Sequence, residues 1–328
     1  MHPRPTRRAT RADVARLAGV SPAVVSFTLN GGPRPVADAT ARRVREAVAR
    51  LGYTPNAAAR ALSMGSSGVL GLVVHDIANP ADGRLAARVQ EAADERGMDV
   101  VVAGVLEDRS RSLGALQALD ARQVDGIVVT TPLSPEAVDG ATRLRARIVQ
   151  LGSHGAIPGV VRLEADVDEG SAAIVAHLAA LGHRRVASVG ARAGACSSRR
   201  GAHGRAVEDG PSEPDAASMR AGYEGMRRIL AHEVPTAVVA GSDVVALGIL
   251  RAIREAGLRV PEDVSVVGFG DTDEARFASP ALTTVHVPAQ EMARDALLAL
   301  VEPTALEPGE HRYPTRLVVR ESTAPPRA

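Results

Sequence analysis

The chain has 328 residues, 45% of them hydrophobic, which at roughly 100 to 200 residues per domain predicts two or three units with full cores and excludes a disordered tail. Aromatic residues make up 2% and Trp is absent, so pockets walled by stacked rings are not expected; the one cysteine, Cys196, excludes an internal disulfide framework or a cysteine-bound metal cluster. The net charge of +1 hides an asymmetry, because residues 1–66 hold eleven Arg against Asp13, Asp38 and Glu46, a balance of +8, while the remainder carries −7.

Residues 1–8 form a basic arm without the apolar run of a secretory signal. Thr10 and Asp13 have the spacing of a capping box, and Val14, Leu17 and Ala18 mark one face of a short helix that stops at Gly19. Ser21 then caps a second helix with Pro22 at its first position, and Asn30-Gly31-Gly32 ends it. Two short helices around a Gly-Val-Ser turn make a helix-turn-helix, whose second helix presents Ser21, Pro22, Ala23, Ser26 and Phe27. A third helix over 38–51, closed by Gly52, completes a small core, so 9–54 is a DNA-binding head. A basic head on an acidic body fits a polyanion partner, since neutralising phosphates releases condensed counterions. Residues 55–67 are alanine-rich and then Gly/Ser-rich, a short helix and linker marginal in isolation and suited to a hinge.

From residue 68 the pattern changes. Val69-Leu70-Gly71-Leu72-Val73-Val74 is a strand-type run, followed by a helix near 84–96 and a strand at 98–105. The alternation continues through a helix at 112–122, strands at 126–129 and 148–151, and a helix at 169–181. It ends with strands at 186–189, 237–240 and 265–268 separated by helices at 218–230 and 244–256. Alternating strands and helices predict parallel sheets with helices on both faces, and 68–328 is long enough for two lobes. The longest apolar runs fall far short of the roughly 20 residues of a membrane helix, so a soluble, cytoplasmic protein without a membrane partner is expected.

The head resembles bacterial transcription regulators of the lactose-repressor type (LacI/GalR family). The resemblance rests on Asp13-Val14-Ala15, Ala18-Gly19-Val20-Ser21, Val25-Ser26, Leu29-Asn30, Leu51-Gly52-Tyr53-Thr54-Pro55-Asn56 and Ala59-Arg60-Ala61-Leu62. It extends through Asp76-Ile77-Ala78-Asn79-Pro80, Leu181-Gly182-His183-Arg184-Arg185, Val266-Val267-Gly268-Phe269 and Leu317-Val318-Val319-Arg320-Glu321, hence over essentially the whole chain. It implies an all-α head with a hinge helix and a two-lobed, periplasmic-binding-protein-like body, lobe 1 near 68–165 and 286–312 and lobe 2 near 166–285 and 313–324. It implies a homodimeric repressor on a palindromic double-stranded operator, controlled by a small molecule, a sugar or sugar derivative, in the interlobe cleft. The recognition set is then Ser21, Pro22, Ala23, Val24, Ser26, Phe27 and Asn30; Leu62 matches a leucine wedged into the central base step, with Asn56, Ala59 and Arg60 beside it.

Departures from the family matter. Val24 stands where Thr is common, and Pro22, Ala23 and Phe27 replace polar base readers, so readout shifts towards thymine methyls, Ser26 and the deformability of the operator centre. In the pocket, Ala81 and Asp82 replace two aromatics, Ser242 replaces Asn, and Gly270 replaces the first of two acids, Asp271 keeping the second. His75, Asp76, Asp82, Ser242, Asp243 and Asp271 can offer hydrogen bonds to a polyol or a cation, and Arg199 or Arg200 is the candidate for the family's effector-binding Arg. Each fits a loop-cap or strand-end role as well, Asp76 and Asp243 above all. No nucleophile elbow, P-loop, dinucleotide fingerprint or zinc-helix motif occurs, so no enzyme, resident metal or cofactor is expected. The alternative from another class is a soluble small-molecule-binding protein whose basic head is a non-specific nucleic-acid anchor.

Overall fold

The computed structural model describes residues 9–30, 35–54, 66–77, 80–105, 110–152, 155–190, 218–302 and 304–327. The chain divides into two compact units, Met1–Ser67 and Gly68–Ala328. The basic arm, the segment expected to form the hinge helix with Asn56, Ala59, Arg60 and Leu62, and Arg199 and Arg200 lie outside the described residues, as does the side chain of Asn30.

The head contains α1 (Arg11–Ala18), α2 (Pro22–Asn30) and α3 (Asp38–Leu51). The capping box closes in both directions: the Thr10 hydroxyl oxygen accepts from the Asp13 amide (3.3 Å), and the Asp13 carboxylate accepts from the Thr10 amide (3.0 Å). Gly19, in the left-handed region at φ 65°, ends α1 and turns the chain into Ser21, whose oxygen accepts from the Val24 amide at 3.3 Å. Val14, Ala15, Ala18, Val25, Val44 and Ala47 make the core. Leu17, expected on the apolar face, is 43% exposed. The buried stripe of α1 runs through Val14, Ala15 and Ala18, and at about 100° per residue Leu17 falls roughly a quarter-turn off it.

The body opens with a six-stranded sheet. Its strands are β1 (Val69–Val74), β2 (Asp99–Gly104), β3 (Gly126–Val129), β4 (Arg147–Leu151), β5 (Val161–Ala165) and β10 (Gly309–Tyr313), in the order β10-β5-β4-β3-β1-β2 and all parallel. Helices α4 (Pro80–Asp94) and α11 (Ala289–Val301) pack with Leu70, Leu72 and Val74 on one face. On the other face α5 (Arg111–Ala121) and α6 (Pro135–Ala141) pack with Val73, Ile127 and Val129. A strand covered on both sides reads as a continuous apolar run, which is why β1 was legible. Helix α4 starts at Pro80, before the expected 84, because proline is well suited to a first helical turn.

The second sheet has β6 (Val186–Val189), β7 (Ala237–Ala240) and β8 (Ser265–Val267) in parallel, next to an antiparallel pair, β9 (Thr284–His286) and β11 (Arg316–Val318). Helices α8 (Met219–Leu230) and α9 (Asp243–Glu255) cover one face through Met226, Ile249 and Ile253. Helix α7 (Val167–Ala180) covers the other through Ile174 and Leu178, and α10 (Asp273–Phe277) follows β8. The chain passes between sheets three times, at 165–167, 286–289 and 313–316. Two of these passages are tied together: the Asp166 amide donates to the Tyr313 carbonyl (2.8 Å), and the Thr315 hydroxyl donates to the Asp166 carbonyl (2.8 Å). Among the described residues no single helix is long and apolar enough to cross a membrane.

Candidate functional site

The direction of α2 is set by the Gly19 turn, after which the axes of α1 and α2 differ by 101°, within the range of DNA-binding helix pairs. Val25 is fully buried and anchors α2 to the core. The opposite side is open: Ser21, Pro22 and Ala23 are exposed, Phe27 is 37% exposed, and Val24 and Ser26 are half-buried. Six of the expected recognition residues thus lie together on one short helix and its cap. Sequence reasoning did not single out the arginines of α3, although the +8 balance was their signal: Arg42, Arg43, Arg45 and Arg50 are all exposed.

The body gathers the other candidates at the carboxyl ends of its strands, where open α/β sheets place ligands. His75 and Asp76 follow β1, and the Asp76 amide donates to the Asp82 carboxylate at 2.8 Å in the first turn of α4. Burial pushes the Asp82 carboxyl up, against the pull of that amide and of His75. In the second lobe Ser242 caps α9 by accepting from the Val245 amide at 3.3 Å. Asp243 is 1% exposed; it accepts from the Thr284 hydroxyl (2.5 Å) and the Thr272 amide (2.8 Å), and burial raises its pKa. Asp271, at φ 53°, holds its carboxylate between Arg320 and His286 Nδ1, the latter at 2.8 Å. Burial would raise this acid, but Arg320 and His286 hold it below the usual carboxylate range.

The candidates therefore separate into two kinds. Asp243 and Asp271 brace α9, the loop after β8, β9 and the segment after β11 against one another, which matches the strand-end role left open for them. His75 and Asp76 stand half-buried at the end of β1, while Asp82 and Ser242, also half-buried, are engaged in the first turn of α4 and in the cap of α9. An ion pair of Arg84 on α4 with Glu274 on α10 also links the two lobes. Among the described residues no group of three or more His, Cys, Asp or Glu is arranged to hold a metal ion.

Residues 10–56 match the model of bacterial regulatory proteins of the lacI family, and residues 175–323 match that of a periplasmic binding protein-like domain. The transcriptional regulator DegA of Bacillus subtilis is 30% identical over 338 residues, 97% of this chain and 99% of DegA. The chain belongs to the lacI family. Its members similar to this chain include the lactose operon repressor of Escherichia coli, 31% identical over 97% of this chain and 91% of that protein. The crystal structure of the Lac repressor dimer bound to operator and the anti-inducer ONPF superposes with a TM-score of 0.82 at 28% identity, covering 97% of this chain and 100% of that one. As a lacI-family protein, this chain is a DNA-binding transcription regulator of the repressor type with a periplasmic-binding-protein-like body.

Proposed function

We propose that the protein is a homodimeric repressor that binds a palindromic operator and responds to a small polar effector, a sugar or sugar derivative, held in the cleft between its lobes. The observation that carries the reading is α2 itself, leaving the Gly19 turn with its core side anchored by Val25 and Ser21, Pro22, Ala23 and Phe27 on the open side. Arg42, Arg43, Arg45 and Arg50 supply phosphate contacts, which position the head without reading sequence. Leu62 enters the central base step, flanked by Asn56, Ala59 and Arg60, and a two-fold protein matches a two-fold site. The effector is met by His75, Asp76, Asp82 and Ser242, with Arg199 or Arg200 for a charged group, while Asp243 and Asp271 hold the second lobe's loops in place. The sugar assignment is supported by relatives that include the ribose operon repressor of Escherichia coli, 30% identical over 89% of this chain, and by a CelR–cellobiose complex at 28% identity and TM-score 0.62. The protein acts in the bacterial cytoplasm and catalyses no reaction.

Selection from a random duplex pool near physiological salt tests the proposal. Enrichment of a palindrome of roughly 14 to 20 base pairs with a CG step at its centre is expected. A Leu62→Ala variant should lose far more affinity for that operator than for random duplex. Binding without enrichment that only fades as salt rises would instead favour the non-specific anchor.

A further inference from the structure

We propose that α2 reads its operator through the 5-methyl groups of thymine, with Ala23 and Phe27 as the specificity-determining side chains. The proposal rests on the operator-binding reading and names the chemical feature of the DNA that this helix takes.

Base edges in the major groove offer hydrogen-bond donors and acceptors and one apolar feature, the thymine methyl. The usual readers of the polar features are Arg, Lys, Asn, Gln and the acids, and the helix carries one of these, Asn30 at its last position, and none from Pro22 to Leu29. Its hydroxyls are partly engaged by the helix itself. The Thr28 hydroxyl donates its single proton to the Val24 carbonyl at 2.8 Å, and the Ser21 oxygen accepts from the Val24 amide. What the open side presents instead is apolar. Ala23 and Phe27 are four residues apart, hence on one stripe, with Pro22 at its edge, and both are exposed. Phe27 is one of three Phe in the whole chain, and more than a third of it stays in water although the neighbouring core is built from valine and alanine. A bulky ring held out on a recognition helix gains its apolar contact only when DNA arrives. The rise between Ala23 and Phe27 is about 6 Å, close to the roughly 6.8 Å of two base-pair steps, so the pair spans methyls on nearby base pairs of each half-site.

Uracil in place of thymine removes the methyl and leaves every hydrogen-bonding group unchanged. The test therefore uses the full-length protein and its selected operator, with each thymine replaced by uracil in both half-sites, at constant salt. A buried methyl corresponds to about a fourfold change in affinity, hence about fifteenfold for two symmetric half-sites. The expected result is a loss of that size at one or two symmetric positions and little change elsewhere. Cytosine at those positions should bind less well than 5-methylcytosine. In Phe27→Ala or Ala23→Gly, each checked for retained helix content, the discrimination between thymine and uracil should collapse at the position that side chain covers. Equal affinity for thymine and uracil at every position would overturn the proposal and leave the repressor reading intact. A uracil effect that persists undiminished in both variants would overturn the assignment to Ala23 and Phe27. Failure of any sequence to enrich would overturn both readings together.

Discussion

The head and the body each place two helices with the help of glycine, and for opposite reasons. In the head, a side chain on Gly19 would meet no atom within 4 Å; glycine is needed there because φ is +65°, a left-handed conformation that lets α1 stop and α2 leave at a steep angle. In the body, a Cβ on Gly248 of α9 would lie 1.9 Å from the Met219 carbonyl oxygen, and one on Gly222 of α8 would lie 2.0 Å from that of Val245. Those two helices touch backbone to backbone. The first use is a local instruction, written in Thr10, Asp13, Gly19 and Ser21 within a dozen residues. The second is a fit between segments that only the folded lobe brings together.

Substitution at the two kinds of glycine should give unequal losses. In Gly248→Ala the clash is with main chain, which no rotamer change relieves, so α8 and α9 must separate; a loss of about 3 kcal/mol or more is expected, near the upper end for overpacking. Calorimetry should show the body's transition lowered by about 6 to 12 °C. Gly19→Ala meets only left-handed strain and should cost the head about 1 kcal/mol. Equal losses would break the comparison. Asp243→Ala belongs between them: it leaves the Thr284 hydroxyl and the Thr272 amide without their acceptor, an expected loss of about 2 to 3 kcal/mol in urea unfolding, largely restored at the Thr284 contact by Asn.

The same contrast explains what could be read from the sequence. The strands Val69–Val74, Gly126–Val129 and Ala237–Ala240 were legible to the residue because each is an apolar run buried on both faces; Val186–Val189 was legible too, although Ser188 interrupts it and only Ala187 and Val189 are buried. Strand β10 was not, since Gly309–Tyr313 carries Glu310, His311 and Arg312 in place of an apolar run: Glu310 sits opposite Arg162 of β5 and pairs with it, Arg312 lies opposite Glu164, and of its side chains only Tyr313 is buried in the core. Helix α11 did carry a signal, Met292, Ala293, Ala296, Leu297 and Leu300 at helical spacing, which the strand-helix alternation up to 268 did not reach. In the head the residues proposed for recognition are contiguous and so is their signature. In the body the carboxylates of Asp243 and Asp271 are engaged by Thr284 and Arg320, 41 and 49 residues further on, and nothing near them in the sequence announces those partners.

Acidification should also separate the two regions. Burial lowers the pKa of both His177 and His183, which hold the carboxyl-terminal segment through the Thr323 hydroxyl (3.0 Å) and the Ala324 carbonyl (2.9 Å). Below the ordinary histidine value of 6.5 the unfolded chain takes up protons that the folded lobe does not, so the body loses stability as pH falls through 6.5 towards the lowered values. The described part of the head contains no histidine. A melting series from about pH 7.5 to 5.5 should therefore lower the body's transition and leave the head's in place, and His183→Gln should flatten the body's slope. A parallel decline of both transitions would show that the pH response is not carried by these two residues.

The smallest effect concerns the joint between the lobes. Arg84 and Glu274 are both partly exposed, and an ion pair of that kind contributes at most about 1 kcal/mol and weakens with salt. That is too little to register in global unfolding. It is nevertheless comparable to the bias separating two arrangements of one lobe against the other, where about 1 kcal/mol is a fivefold change in population. Arg84→Ala and Glu274→Gln should each leave the body's melting temperature within error while shifting operator affinity by up to about fivefold against the parent at the same salt. The double variant should match either single one, because removing one partner already removes the interaction, and the shift should shrink as salt rises. Single effects that add in the double variant would mean that the two residues act separately and not as an ion pair across the lobes.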